Sequence, residues 1–218
     1  MSTVLLTGFE PFAGDQTNPS VDAVVRLGAV WNGPARLVTA VLPVDFARAG
    51  AELIELVATH RPDVVIATGL AGGRDAITPE RIAVNLRDAR IPDNAGHQPV
   101  DTASIPGAPL AYASSLPVKA IATEIAASGI PASVSLSAGS FVCNDVFFTV
   151  AHVSANTPGL RAGFIHVPWD AENAPPGAAS LPQADITRAL EIAVITTLTY
   201  TRDLDVPRTP GLNPAGRS

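Results

Sequence analysis

Four short, almost wholly apolar runs punctuate the sequence: TVLLTG at 3–8, RLVTAVLPV at 36–44, DVVIATG at 63–69 and RAGFIHV at 161–167. Each is too short and too β-branched for a helix, and segments of helical period separate them. This alternation predicts a largely parallel sheet covered by helices on both faces. DVVIATG, apolar throughout, reads as a central strand buried on both sides. RIAVNL at 81–86 and ASVSLS at 132–137 read as further strands.

The helices announce themselves by caps. Asn18 before Pro19 opens one that carries Val21, Val24, Val25 and Gly28 on one face. Asp45 can cap a second bearing Phe46, Ala49, Leu53, Leu56 and Val57. Ser115 and Pro117 open a third, closed by Gly129, and another follows Cys143. Ser180 to Gln183 reads as a capping box for a last helix whose face is Ile186, Leu190, Val194 and Leu198. Between them, residues 87–110 carry four prolines and almost no periodicity, and a loop that long inside a compact domain is usually functional. One domain over residues 1–200 is expected, with a Pro-, Gly- and Arg-rich tail at 201–218 that frays.

Charge narrows the function classes. The chain carries a formal −6, and its 14 Lys and Arg form no basic stripe that could neutralise phosphates, so no nucleic-acid partner is expected. No apolar stretch approaches the ~20 residues that span a bilayer, and MSTVLLTGFEPF lacks the positive start of an export signal. With one cysteine and hence no intrachain disulfide, the expectation is a cytoplasmic protein without a membrane contact.

That one cysteine, Cys143, lies just beyond the strand ASVSLS, where a turn built on SAGS feeds a helix. Ligands of open α/β sheets bind at this carboxyl edge. Unpaired amides at a helix start favour thiolate, by only ~0.3–1 kcal/mol at an exposed site, so a second activator is required. The alternative is a buried structural cysteine. Among the four histidines, His152 lies nine residues further along the same helix, on the opposite face and roughly 13 Å away. His60 reads as a helix C-terminal residue, and His97 sits on the long loop. His166 ends RAGFIHV, at the same edge as the thiol, where a Cys–His ion pair could activate the sulfur and protonate a leaving amine. An orienting acid is needed, and Glu80, Asp93, Asp101 and Glu172 all lie in or beside suitable loops, so spacing leaves four candidates.

GLAGGR at 69–74 lacks the spacing of a dinucleotide loop, and neither a P-loop, an H-E-x-x-H helix nor paired cysteines occur, so no cofactor and no metal are expected. In GFEPFAG, Phe9 and Phe12 occupy a loop at the carboxyl edge of the first strand, where they either plug the core or line an apolar pocket.

These stretches accumulate into a likeness. TGFEPFAG with NPS, GLAGGR with ITPERIAVNLRDARIPDNAGHQP, SAGSFVCN and GFIHVPW resemble, in order along the chain, the signatures of the type I pyroglutamyl peptidase family. The resemblance implies a cytosolic cysteine peptidase that removes N-terminal pyroglutamate from peptides. It implies a three-layer α/β/α sandwich with a largely parallel, mixed central sheet, assembled as a homotetramer. Its catalytic residues would be Glu80, Cys143 and His166, and its substrate pocket Phe9, Phe12, Ile91, Phe141 and Val142, with Arg90 at the site. Three positions depart from the commonest family pattern: Ser140 and Trp169 stand where Thr and Tyr are frequent, and Leu70 where some members carry Gln. The rival readings are a cysteine amidase or thioesterase for another small acyl group, and a non-catalytic small-ligand domain.

Overall fold

The computed structural model describes residues 1–205. From the N-terminus, Thr3–Phe9 forms β1, Pro19–Val30 α1, Arg36–Leu42 β2, Ala49–His60 α2 and Val64–Leu70 β3. Thr78–Pro79 (β4), Ile82–Val84 (β5), Ala111–Ala113 (β6), Val118–Ala127 (α3) and Val142–Ala155 (α4) follow. Arg161–Val167 (β7), Trp169–Asp170 (β8), Ser180–Leu181 (β9) and Gln183–Thr199 (α5) complete the order.

Five strands make the central sheet in the order β2-β1-β3-β7-β4, the first four parallel and β4 antiparallel to β7. Every residue of β3 is buried, as its unbroken apolar run requires. Strand alternation divides the core in two. Val4, Leu6, Val64, Ile66, Ile165 and Val167 face the layer formed by α1, α3 and α5. Leu5, Val65, Ala67, Ala162 and Phe164 face α2 and α4. The architecture is therefore an α/β/α sandwich on a largely parallel, mixed sheet.

Local expectations fail where tertiary pairing competes. RIAVNL contributes only β5, which pairs with β6 outside the main sheet. ASVSLS forms no strand but only isolated bridges, Ile77 to Ala132 and Glu80 to Ser135. Its extended backbone does run beside residues 77–81, with Ser133 N–H donating to Ile77 O and Arg81 N–H to Ser135 O. Pro79, having no N–H, breaks the ladder at its middle. The capping box at Ser180 is absent: Ser180 is taken by β8, and α5 starts at Gln183 with no side-chain cap. Asp45 caps a turn, accepting from Ala47 and Arg48 N–H, just before α2 begins at Ala49.

The segment expected to fray from about Thr201 is described only to residue 205; residues 206–218 lie outside the described residues. Asp203 accepts hydrogen bonds from the N–H groups of Lys119 and Ala120 (2.9 and 3.1 Å) and pairs with Arg81 at 2.9 Å. It supplies the cap that Pro117 cannot give α3. Asp203→Ala is expected to cost about 1 kcal/mol of stability, read as a lower urea midpoint at unchanged slope. An unmoved midpoint would mean that the cap is dispensable.

Candidate active site

Register on β7 sets the chemistry. Ala162 and Phe164 point toward α4, so His166, two residues further, points the same way. On one side of it lies β3, with Gly69 as its parallel partner. On the other lies β4, where Thr78 pairs with His166, and the N–H of Glu80 donates to Phe164 O at 2.9 Å. Opposed residues of an antiparallel pair share a face, which puts Glu80 diagonally beside His166. Glu80 Oε1 lies 2.7 Å from His166 Nδ1, with the carboxylate fully buried and the imidazole 4 % exposed. A carboxylate can only accept, so Nδ1 carries the hydrogen and Nε2 keeps its lone pair. The other three candidate acids are elsewhere. Asp93 is bound to Phe46, Ala95 and His97 N–H, while Asp101 and Glu172 are exposed.

The nucleophile candidate arrives from the helix layer. Gly139, at φ 77°, turns the chain, Phe141 adopts an extended N-cap conformation without a side-chain cap, and Cys143 is the second residue of α4. The N–H groups of this first turn have no intrahelical partner. The next two residues fix the helix. Asn144 exchanges hydrogen bonds with the backbone of Val84 and Leu86, and the buried Asp145 holds Arg87 through two bonds of 2.6 and 3.0 Å. The thiol then packs onto bare backbone. A Cβ placed on Gly69 would lie 2.8 Å from Cys143 Sγ, so only glycine admits the sulfur beside His166.

Sequence reasoning missed Arg74. Its Nη1 donates to Glu80 Oε1 at 2.6 Å and to Thr78 Oγ1, and its Nη2 donates to Ser137 O at 2.8 Å. The available signal was an arginine closing GLAGGR six residues before Glu80, a stretch weighed only for its glycines. The amide of Ala71 in that stretch donates to Val167 O.

The electrostatics follow from burial. Desolvation pushes the Glu80 carboxyl up, but the hydrogen bond and charge of His166, Ser135 and the Arg74 guanidinium outweigh it and hold it below the ordinary glutamate value. Burial drives His166 below its usual value, against the pull of Glu80. The Cys143 thiol is pushed up to about 12, first by burial and then by the charge of Glu80, with Arg74 and its own amide opposing. Burial thus disfavours the charged form of both the thiol and the imidazole, against the thiolate–imidazolium pair expected from the sequence.

Cys143 and His166 line one cavity of about 340 Å³, within the size range of small-ligand sites. Phe9, Phe12, Phe141 and Val142 form apolar wall, with Phe12 and Phe46 packed on the Phe141 ring at 6.2 and 5.3 Å between centroids. Leu70 adds to that wall, and Asn18, beyond capping α1, also borders the cavity. Arg90 and Ile91 are not among its lining: Arg90 is exposed and Ile91 half-buried. Their loop is tied to the site at both ends, by the Ser140 hydroxyl donating to Asp88 O at 2.7 Å and by Asn94 donating to Glu10 Oε1 and Pro11 O.

The remaining histidines lie apart from this cavity. His152 pairs with the Tyr112 hydroxyl at 2.8 Å, and His97 approaches Asp93 at 3.4 Å. Asp45, Asp93 and His97 do converge within 4.8 Å, a cluster that was not expected. Backbone N–H groups already occupy both carboxylates, and the three residues are outside the cavity. Among the described residues no helix is long and apolar enough to cross a membrane.

Comparison with known proteins places this geometry in context. A family model described as pyroglutamyl peptidase matches residues 2–200. The chain is 47% identical to the pyrrolidone-carboxylate peptidase of Bacillus amyloliquefaciens over 204 residues, covering 93% of this chain and 95% of the relative. It is 49% identical over 174 residues to that of Clavibacter michiganensis, covering 80% and 82%. Crystal structures of pyroglutamyl peptidase I from B. amyloliquefaciens and of pyrrolidone carboxyl peptidase from Thermococcus litoralis each superpose with a TM-score of 0.90. Identity is 46% and 41%, with 94% and 95% of this chain and 100% of each structure covered.

Proposed function

The chain belongs to the pyroglutamyl peptidase family and hydrolyses the bond that follows an N-terminal pyroglutamyl residue; we propose that Cys143, His166 and Glu80 are its catalytic residues. The observation that carries this reading is the buried 2.7 Å Glu80–His166 pair, whose imidazole lines the same cavity as the only thiol of the chain. His166 Nε2 accepts the thiol proton while Sγ bonds to the scissile carbonyl carbon. The carbonyl electrons move onto oxygen, beside the uncapped N–H groups at the start of α4. Collapse of this intermediate expels the amine, which takes the proton from His166 and leaves a pyroglutamyl thioester. Water, deprotonated by His166, then releases pyroglutamate and restores the thiol. Glu80 keeps the imidazole in one tautomer and stabilises it when charged.

Pyroglutamate is a lactam without an ionised amine, so an apolar slot suits it better than an acidic anchor. Phe9, Phe12, Phe141 and Val142 supply such a slot. Arg90 and Ile91 are assigned to the substrate from the loop that bridges Ser140 and the Glu10–Pro11 turn. Peptides beginning with pyroglutamate are the substrates in this reading. A cytoplasmic location suits a thiol that must stay reduced, and the exposed Val100 and Leu110 of the long loop support a homotetramer. Residues 1–200 act as one unit, because both cores share a sheet.

Release of coumarin from pyroglutamyl, prolyl and glutaminyl amides is the test. Turnover of the pyroglutamyl amide is expected to exceed the other two by at least about a hundredfold, since prolyl and glutaminyl amides would bring an ionised amine into a slot of apolar walls that offers it no counter-charge. Comparable rates on all three would make the chain a general small-acyl amidase.

A further inference from the structure

Arg74 holds three partners on two separate segments of the site. Its guanidinium donates to Glu80 of the acid–base pair, to Thr78 of the strand paired with His166, and to the carbonyl of Ser137 in the loop that leads into Cys143. We propose that Arg74 is a positioning residue of the reaction, which clamps the acid-bearing stretch 78–80 to the nucleophile loop and prevents Glu80 from taking the imidazole proton. The inference rests on the catalytic assignment above and deepens it.

The geometry at Glu80 is the reason. Oε1 accepts from both His166 Nδ1 and Arg74 Nη1, at 2.7 and 2.6 Å, and the hydroxyl of Ser135 adds to what holds the carboxylate ionised, although it donates to Ser137 O and leaves Oε2 without a hydrogen bond among the described residues. A lone buried carboxylate beside an imidazolium could neutralise itself by taking the proton, and the stabilisation of the cation would vanish. A guanidinium is never deprotonated at working pH, so its charge on the shared oxygen keeps the carboxylate ionised whichever state His166 is in. Arg74 is 26 % exposed at its side chain, yet the oxygen that it binds is fully buried, so the interaction is only partly screened. The second arm of the fork, on Ser137 O, matters for position, because this loop sets where α4 and its thiol begin.

The charged and titratable groups acting on His166 are Glu80 and Arg74, with Cys143 on the same cavity wall. The positive charge of Arg74 opposes protonation of His166 and favours ionisation of Cys143. Removing it therefore lets the Glu80–His166 pair take up a second proton at higher pH. Since the pair must hold only the Nδ1 hydrogen, with Glu80 ionised, to accept the thiol proton, the acid limb of kcat/KM moves upward in pH.

The experiment follows kcat and KM against pH on a pyroglutamyl coumarin amide for wild type, Arg74→Gln, Arg74→Lys and the surface control Arg48→Gln. Arg74→Gln is expected to lower kcat about 10- to 100-fold with KM almost unchanged, the usual cost of losing such a supporting contact, and to shift the acid limb upward. Arg74→Lys keeps the charge but cannot span Glu80 and Ser137 at once, so its acid limb stays near that of wild type while kcat remains reduced. Arg48→Gln matches wild type. An Arg74→Gln enzyme with an unmoved acid limb, or with a change in KM alone, overturns the proposal. If Arg74→Gln does not melt cooperatively, Arg74→Lys decides, and a wild-type kcat in that variant overturns the clamp. Cys143→Ser and His166→Ala run in the same assay separate the two levels. Should they retain turnover, the catalytic assignment itself fails; should they lose it while Arg74→Gln behaves as wild type, only the role of Arg74 falls.

Discussion

His166→Ala and Cys143→Ser are each expected to lower kcat on a pyroglutamyl amide by about ten-thousand-fold, or ~5.5 kcal/mol of barrier, with KM nearly unchanged. The size follows from the resting state. Burial pushes the Cys143 thiol up to about 12, so its ionisation needs a nearby base, and His166 is the one on the same cavity wall. Serine at 143 fails for the same reason with a still weaker acid. KM is expected to hold because neither change touches the apolar cavity walls of Phe9, Phe12, Phe141 and Val142. The wild-type pH profile carries the same signature. With His166 held below its usual 6.5, activity is expected to persist through pH 6.5 and to fall only as the pH drops through the lowered value, where the imidazole gains its proton. Retention of a tenth of wild-type kcat by either variant, with a native melt, would remove that residue from the mechanism.

Gly69→Ala is expected to cost about a hundredfold or more in kcat without touching a reacting group. The new methyl carbon would stand 2.8 Å from Cys143 Sγ, 3.0 Å from Phe164 Cζ and 3.3 Å from Phe9 Cδ2. Those rings are packed in the core and cannot all retreat, so the sulfur moves, and a displacement of ~1 Å at a reacting atom commonly costs about 10²-fold. Overpacking also lowers stability by about 1–3 kcal/mol. A crystal structure of the variant should show the thiol rotated away from His166, and iodoacetamide should label it at an altered rate. Wild-type turnover would mean that the reactive position of the sulfur is not the one against Gly69.

The parts of the site legible in sequence are those whose placement depends on a single element. His166 at the end of β7 and Cys143 at the start of α4 follow from where a strand stops and a helix begins. The aromatic loop after β1 was recognisable because Phe9 and Phe12 are out of character for a turn. Where two elements had to meet, local signals were silent. Four acids competed for one role until the antiparallel pairing of β4 on β7 put Glu80 diagonally beside the imidazole. ASVSLS looked like a strand because its alternation is real, and Pro79 in the neighbouring segment, invisible to that alternation, interrupts it. The capping box at Ser180 obeyed the rule for an isolated helix and lost to the pairing of β8 with β9.

By itself, the sequence determined the layers, the four parallel strands and the edge at which chemistry would occur, because periodicity and strand ends are properties of one segment and its solvent boundary. Only the tertiary structure decided how the Glu80 carboxylate meets the histidine, that Arg74 binds its shared oxygen, and that the thiol packs against the backbone of Gly69, where burial disfavours its ionised form. Register between distant strands and the desolvation of a group by everything packed around it are collective quantities, and no window of neighbouring residues contains them.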